Sequence, residues 1–129
     1  MSPTVKGFTL QIDQENSKFK AGQWIDLFIP GVEMVGGFSM CGPPSRLEQE
    51  NILDLAVKSS NWPPALWLHT HARAGGSVAV RIGGDFFYPC EDVNALGDHQ
   101  ILLIAGGVGI NPLASIFFHI DDLLGEFNL

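Results

Sequence analysis

Three groups of residues in this 129-residue chain have the types and spacing to do chemistry. The first is Gly106-Gly107-Val108-Gly109-Ile110-Asn111-Pro112, between the apolar run Ile101-Leu102-Leu103-Ile104 and a helical pattern. Glycines in such a turn let the backbone approach a ligand closely, and free N–H groups at a helix start favour a pyrophosphate. The run is not a G-x-G-x-x-G fingerprint, so tight packing without a ligand is an equal reading of it. The second group is Pro63-Pro64-Ala65, which opens a short helix whose N-terminus either faces an anion or caps the end of a barrel. The third is the four histidines and two cysteines. His69 and His71 lie two apart and cannot share a helical face, and no carboxylate or thiolate stands at ligand spacing, so no metal site is expected. Cys41 and Cys90 lack C-x-x-C spacing and read as small core or loop residues. There is no nucleophile elbow, H-E-x-x-H or P-loop lysine, so any redox chemistry would be a cofactor's.

The elements that must position these residues are mostly short strands. Phe8, Leu10 and Ile12 alternate with polar residues, and Trp24 to Ile29 forms a second run stopped by Pro30-Gly31. Phe38-Ser39-Met40 is a short extended piece ending at Gly42-Pro43-Pro44. A polar loop through Asn51 leads into the strand 52–58. The prolines at 63 and 64 and the glycines at 75 and 76 then bracket a helix over 65–74. Ser77 to Ile82 returns to a strand, and Gly83-Gly84 turns it toward Phe86-Phe87-Tyr88-Pro89. Beyond residue 90 the pattern changes. Residues 101–104 are apolar on both faces, as in a parallel strand covered by helices. Asn111 is placed to cap, Pro112 suits a first helical position, and Leu113, Ile116, Phe117, Ile120 and Leu124 recur on one helical face.

Charge divides the chain at the same place. Residues 1–90 hold eight acids and all seven Lys and Arg, a net charge of −1; residues 91–129 hold six acids and no base, a net charge of −6. The total of −7 argues against binding nucleic acid or an anionic membrane surface, and no apolar stretch is long enough to span a bilayer. With 46% hydrophobic residues the length supports one domain's worth of core. Met1 to Lys6 carry neither a signal-peptide apolar region nor an Arg-rich amphipathic start.

Four segments in order resemble the ferredoxin–NADP reductase type of flavoprotein reductase. Phe19-Lys20-Ala21-Gly22-Gln23-Trp24-Ile25 is similar to that family's strand beginning P-G-Q-Y/W, and Gly36-Gly37-Phe38-Ser39-Met40 falls where the family has R-x-Y-S and an apolar residue. Leu55 to Lys58, then Ala65 to His69, then Gly75 to Val80 with Gly84 and Phe86 resemble its central strand, phosphate-facing helix and closing strand. Ala105-Gly106-Gly107-Val108-Gly109-Ile110-Asn111-Pro112 with Ser115 resembles A-G-G-T-G-I-T-P-x-x-S at the start of its pyridine-nucleotide domain. The resemblance covers residues 8–120.

It implies a mainly β fold: a Greek-key flavin-binding barrel of the FAD-binding FR-type over residues 1–95, then the first βα unit of a Rossmann-like nucleotide-binding α/β domain over residues 96–129. The first barrel strand is expected to be missing ahead of Thr4, and the nucleotide domain to be truncated after Leu129. It implies an NAD(P)H-dependent oxidoreductase passing hydride between a nicotinamide nucleotide and FAD, and a mitochondrial location. Phe38 would lie against the isoalloxazine ring, Ser39 would hydrogen-bond near its N5 as the catalytic contact, and Met40 would complete that strand. The helix start at Ala65 would face the flavin pyrophosphate. Gly106, Gly107, Val108, Gly109, Ile110, Asn111 and Pro112 would face the nicotinamide dinucleotide, NADH or NADPH, with the lack of any Lys or Arg after Arg81 leaning toward NADH. The electron acceptor is not readable, and a lone βα unit is expected to support little NADH oxidation by itself.

The departures define the alternative. Gly36 stands in place of the family's phosphate-binding Arg, Ala65 in place of a helix-start Ser, and Val108 and Asn111 in place of two threonines. A flavin-free nucleotide-binding or interaction module is therefore the second reading. Cys41-Gly42-Pro43-Pro44 resembles the family's C-terminal C-G-P-P nicotinamide motif but directly follows the flavin strand, so it is not read as that site.

Overall fold

The period-2 runs fold as strands because each places its apolar residues on one face. In the computed structural model, which describes residues 3–89 and 100–127, β1 is Val5–Gln11, β2 Trp24–Phe28, β3 Gly36–Ser39, β4 Ile52–Lys58 and β5 Ala79–Gly83. In β4, Leu53, Leu55 and Val57 are buried while Ile52, Asp54 and Ala56 are half-exposed, the alternation a pleated strand imposes. β1 pairs antiparallel with β4 from Val5 opposite Lys58 to Gln11 opposite Ile52. β2 lies between β3 and β5, antiparallel to both.

Met40 bridges to Leu55, and the Cys41 N–H donates to the Asp54 carbonyl at 3.0 Å, so the end of β3 is stitched to β4. The expected Greek-key barrel is met only in part: two antiparallel sheets share one core, and no ladder closes them into a barrel among the described residues. Closure needs each strand paired on both edges, but β1 and β5 have one partner each and the β3–β4 seam is a single bridge. Pro43 and Pro44, which lack an N–H, stop that seam from lengthening. The core is built from Ile25 and Leu27 of β2, Leu53, Leu55 and Val57 of β4, and Met40.

Two helices cover this core. Residues expected to form a polar loop instead form α1, Pro44–Glu50, with Leu47 buried. Its signals are a proline in the first turn, the Arg46–Glu50 pair one turn apart at 2.6 Å, and Asn51 in the left-handed region at φ 55° as C-cap. α2, Pro63–Thr70, buries Pro64, Ala65 and Leu68. It ends before the expected residue 74: the N–H groups of His71 and Ala72 both donate to the Trp67 carbonyl.

The expected βα unit is reduced to its turn and helix. Residues 101–104 form no strand; Leu102 is 82% and Ile104 81% exposed. A parallel strand exists only through a neighbour's hydrogen bonds, and no described residue pairs with this run. A 3₁₀ turn over Gly107–Gly109 leads into α3, Ile110–Phe127. Asn111 is the second residue of α3, so the expected cap is not formed. α3 docks on the β portion through Ile116, which lies against Gly22, and through Leu123, which packs with Tyr88. The Ser45 hydroxyl of α1 donates to Asp122 at 2.6 Å. No helix among the described residues is long and apolar enough to cross a membrane.

Candidate functional site

The residues expected to meet a flavin sit at the junction of β3 and α2. On a strand, alternate residues share a face, so Gly36 and Phe38 look the same way and Ser39 the other. Gly36 is buried, Phe38 and Ser39 are half-buried, and Met40 is fully buried in the core, offering only its backbone to a ligand. The face shared by Gly36 and Phe38 meets the start of α2. A Cβ at residue 36 would stand 2.5 Å from Cε2 of Phe38 and 2.7 Å from Cβ of Pro64. The Phe38 ring and Pro64 therefore fill the space that a side chain at this position would need.

The start of α2 is poor in donors. Pro63 and Pro64 occupy the first two helical positions and have no N–H, and the Trp62 N–H donates to Ser60 Oγ at 3.2 Å. The Leu66 N–H bonds within the helix to the Trp62 carbonyl. That leaves the N–H of Ala65, whose residue is only 4% exposed.

The nucleotide turn is the opposite. Residues 101–110 are exposed, and nothing lies within 4 Å of a Cβ built on Gly106, Gly107 or Gly109. Gly107 has φ +56°, the left-handed region where an L side chain is strained, and this bends the chain into the 3₁₀ turn. Val108 and Ile110 are exposed beside it. Asn111 is buried and its side-chain amide donates to the Ala56 carbonyl at 2.8 Å, while Pro112 follows without an N–H to satisfy.

The two motifs meet on β4. Met40 bridges Leu55, and the next residue, Ala56, accepts from Asn111. The flavin-strand and nucleotide-turn residues are thus anchored to adjacent positions of one strand, with α2 packed on the same core. The carbonyl of Ala56 was not anticipated from the sequence; Pro64 was expected at the helix start facing the site, but not its packing against the face that Gly36 and Phe38 share.

The C-G-P-P run has structural uses. Gly42 lets the chain pass against Asp54, whose Oδ2 would be 2.9 Å from a Cβ there. Asp54 accepts from Arg46 Nε at 3.0 Å and from Thr9 Oγ1 at 3.2 Å, and Arg46 also pairs with Glu50. The Cys41 thiol donates to the Asp54 carbonyl at 3.4 Å and is pushed above its ordinary range, by burial first and by the Asp54 charge second. Cys90 lies outside the described residues. Among the described residues there is no group of three His, Cys, Asp or Glu able to hold a metal. His69 instead contacts the Val57 carbonyl at 2.7 Å, which ties α2 to β4. A cleft of about 500 Å³ lies apart from the predicted residues, between Lys18, Phe19, Ser45, Tyr88, His119 and Asp122.

These geometries test the expected groups separately. Open space above three glycines fits the close approach of a nicotinamide nucleotide's phosphates to the turn at 106–112. The start of α2 does not fit the diphosphate of FAD: position 36, where the resemblance implies an Arg, is a buried glycine roofed by Phe38 and Pro64, and prolines without an N–H occupy the first two helical positions.

No protein-family model matches the chain. Over 125 residues it is 53% identical to human oxidoreductase NAD-binding domain-containing protein 1, covering 97% of this chain and 39% of that protein. It is 32% identical over 118 residues to the reductase component of phenol 2-monooxygenase from a Pseudomonas species, covering 90% of this chain and 31% of that protein. Its fold is similar to the cytochrome P450 reductase of Amycolatopsis, with a TM-score of 0.74 at 24% identity, over 97% of this chain and 36% of that one. It is also similar to the FAD/NAD-binding domain of a nitric oxide dioxygenase from Vibrio cholerae, with a TM-score of 0.76 at 21% identity, over 94% of this chain and 52% of that one. The chain spans about 40% of the length of the curated relatives named oxidoreductase NAD-binding domain-containing protein 1 from Pongo abelii and Bos taurus. Over that span the likeness to these proteins agrees with the resemblance to the ferredoxin–NADP reductase type of flavoprotein reductase that the sequence motifs carry.

Proposed function

We propose that the protein to which this segment belongs is an NAD(P)H-dependent flavin oxidoreductase, in which hydride passes between a nicotinamide nucleotide, NADH in preference to NADPH, and a flavin. Residues 1–95 serve as its flavin-side unit and residues 96–129 as the opening of its nucleotide-side unit, acting in mitochondria. Phe38 and Ser39 meet the flavin ring, and the turn from Gly106 to Pro112 meets the nucleotide. The observation that carries this reading is the anchoring of both motifs to adjacent residues of β4, through the Met40–Leu55 bridge and the Asn111–Ala56 hydrogen bond. The electron-transfer chemistry is the cofactors'; the chain's contribution is to hold the two near each other. The names of the relatives, an NAD-binding oxidoreductase protein and a reductase component, support the reaction class. The mitochondrial assignment rests on the resemblance alone and is checked by subcellular fractionation.

The test is the visible spectrum of the purified chain with added FAD. A shifted, structured flavin band together with thermal stabilisation is expected; a spectrum identical to free FAD overturns the reading. The roof over Gly36 favours one second reading, a flavin-free module that binds a nucleotide only. Stabilisation by NADH, with an unchanged flavin spectrum and no electron transfer to an artificial acceptor, would fit that module instead.

A further inference from the structure

Flavins share an isoalloxazine ring and ribityl chain and differ beyond it: riboflavin ends in a hydroxyl, FMN in a phosphate, FAD in a diphosphate and adenosine. A site distinguishes them only by what it offers past the ring. A site that favours FAD needs cations or free N–H groups at the diphosphate, because charge-assisted hydrogen bonds are about twice as strong as neutral ones.

In this chain the end past the ring has been closed. Position 36 carries no side chain, and the space over it is taken by the Phe38 ring and Pro64. The start of α2 has lost two N–H groups to Pro63 and Pro64, and a third is engaged by Ser60. Arg46 is committed to Asp54 and Glu50, Arg81 to Asp26 at 2.7 Å, and Lys20 lies over the Phe87 ring at 4.4 Å. Ring-side contacts remain, since Phe38 and Ser39, on opposite faces of β3, are each half-exposed. The aromatic end of the site is kept while its anion end is gone.

We propose that this site recognises a flavin by its isoalloxazine ring alone and does not discriminate FAD from FMN or riboflavin. This rests on the flavin reading above. An anionic tail gains nothing here and is left to solvent, so any of the three flavins is held weakly and exchanges freely.

The experiment titrates the full chain with riboflavin, FMN and FAD by flavin fluorescence at fixed ionic strength. The three dissociation constants are expected to agree within about threefold. FAD or FMN binding more than about threefold tighter than riboflavin overturns the inference while leaving the flavin reading standing. Binding of none of the three overturns the flavin reading itself. A second arm uses Pro64→Ala, which restores one N–H at the start of α2 while keeping the Cβ that stands over Gly36. Its FAD-to-riboflavin affinity ratio is expected to rise several-fold with riboflavin affinity unchanged; an unchanged ratio in a variant that still binds riboflavin counts against the closed-end explanation.

Discussion

The two apolar stretches Leu53-Asp54-Leu55-Ala56-Val57 and Ile101-Leu102-Leu103-Ile104 have comparable side chains and opposite fates. The first sits in β4, pairs residue for residue with β1, and sends three side chains into the core. The second finds no partner among the described residues, and Leu102 and Ile104 remain exposed. Hydrophobicity marks what a segment can bury, whereas a neighbour with free hydrogen-bonding edges decides whether it does. The β portion therefore carries its own core, while the part from residue 100 onward contributes one helix face, through Ile116 and Leu123, to a surface already built.

The sharpest way to break that contrast is a matched pair of truncations read by chemical denaturation. Ile25→Ala, at a side chain with no exposure, is expected to cost about 3–4 kcal/mol. Leu102→Ala is expected to fall within about 0.5 kcal/mol of wild type. A Leu102→Ala cost rivalling that of Ile25→Ala would mean that the run at 101–104 is covered in solution. A middle-sized effect sharpens the contrast at the contact between the two regions. Asn111→Ala leaves the Ala56 carbonyl without its 2.8 Å donor and is expected to cost about 1–2 kcal/mol. Amide exchange should accelerate along α3 while protection in β2 and β4 is kept; equal loss in both would show one cooperative unit.

The smallest effect lies in the β portion. Burial and the Asp54 charge raise the Cys41 thiol, so the folded protein holds its proton more tightly than the unfolded chain. The resulting stability is fully present below the ordinary thiol range and is lost as pH rises through the raised value. In a Cys90→Ser background, Cys41 is expected to react with iodoacetamide more slowly than an unfolded peptide thiol at mildly alkaline pH. Equal rates would show that the thiol is not shielded.

How much of this was legible beforehand varies by residue, for physical reasons. The strands around Ile25 and Leu55 were readable because period-2 alternation is a local property that tertiary packing only completes. α1 was missed although Pro44, the Arg46–Glu50 spacing and Asn51 were all in view; the polar composition of 45–51 outweighed those cues. Residues 101–104 were expected to be a strand because their pattern is right, but the partner a parallel strand requires is not written into the strand itself. Barrel closure likewise depends on edge-to-edge pairing that local patterns do not carry. At the candidate site, that a glycine stands at position 36, where the resemblance implies an Arg, was plain from the sequence. That the volume over it is filled by Phe38 and Pro64 is a fact of packing, which emerges only when β3 and α2 are set side by side.

The Asn111 amide has a consequence for anyone wishing to recombine such proteins. It ties the first turn of the helix that would present a dinucleotide to a main-chain atom of β4, beside the bridge that fixes Met40. Because the acceptor is backbone, any β portion of this fold offers it whatever its side chains, whereas the donor must arrive with the incoming helix. A chimaera that joins this β portion to another nucleotide unit should therefore keep an amide side chain at position 111, and a swap that loses it would have to supply the alignment between the two units by some other contact.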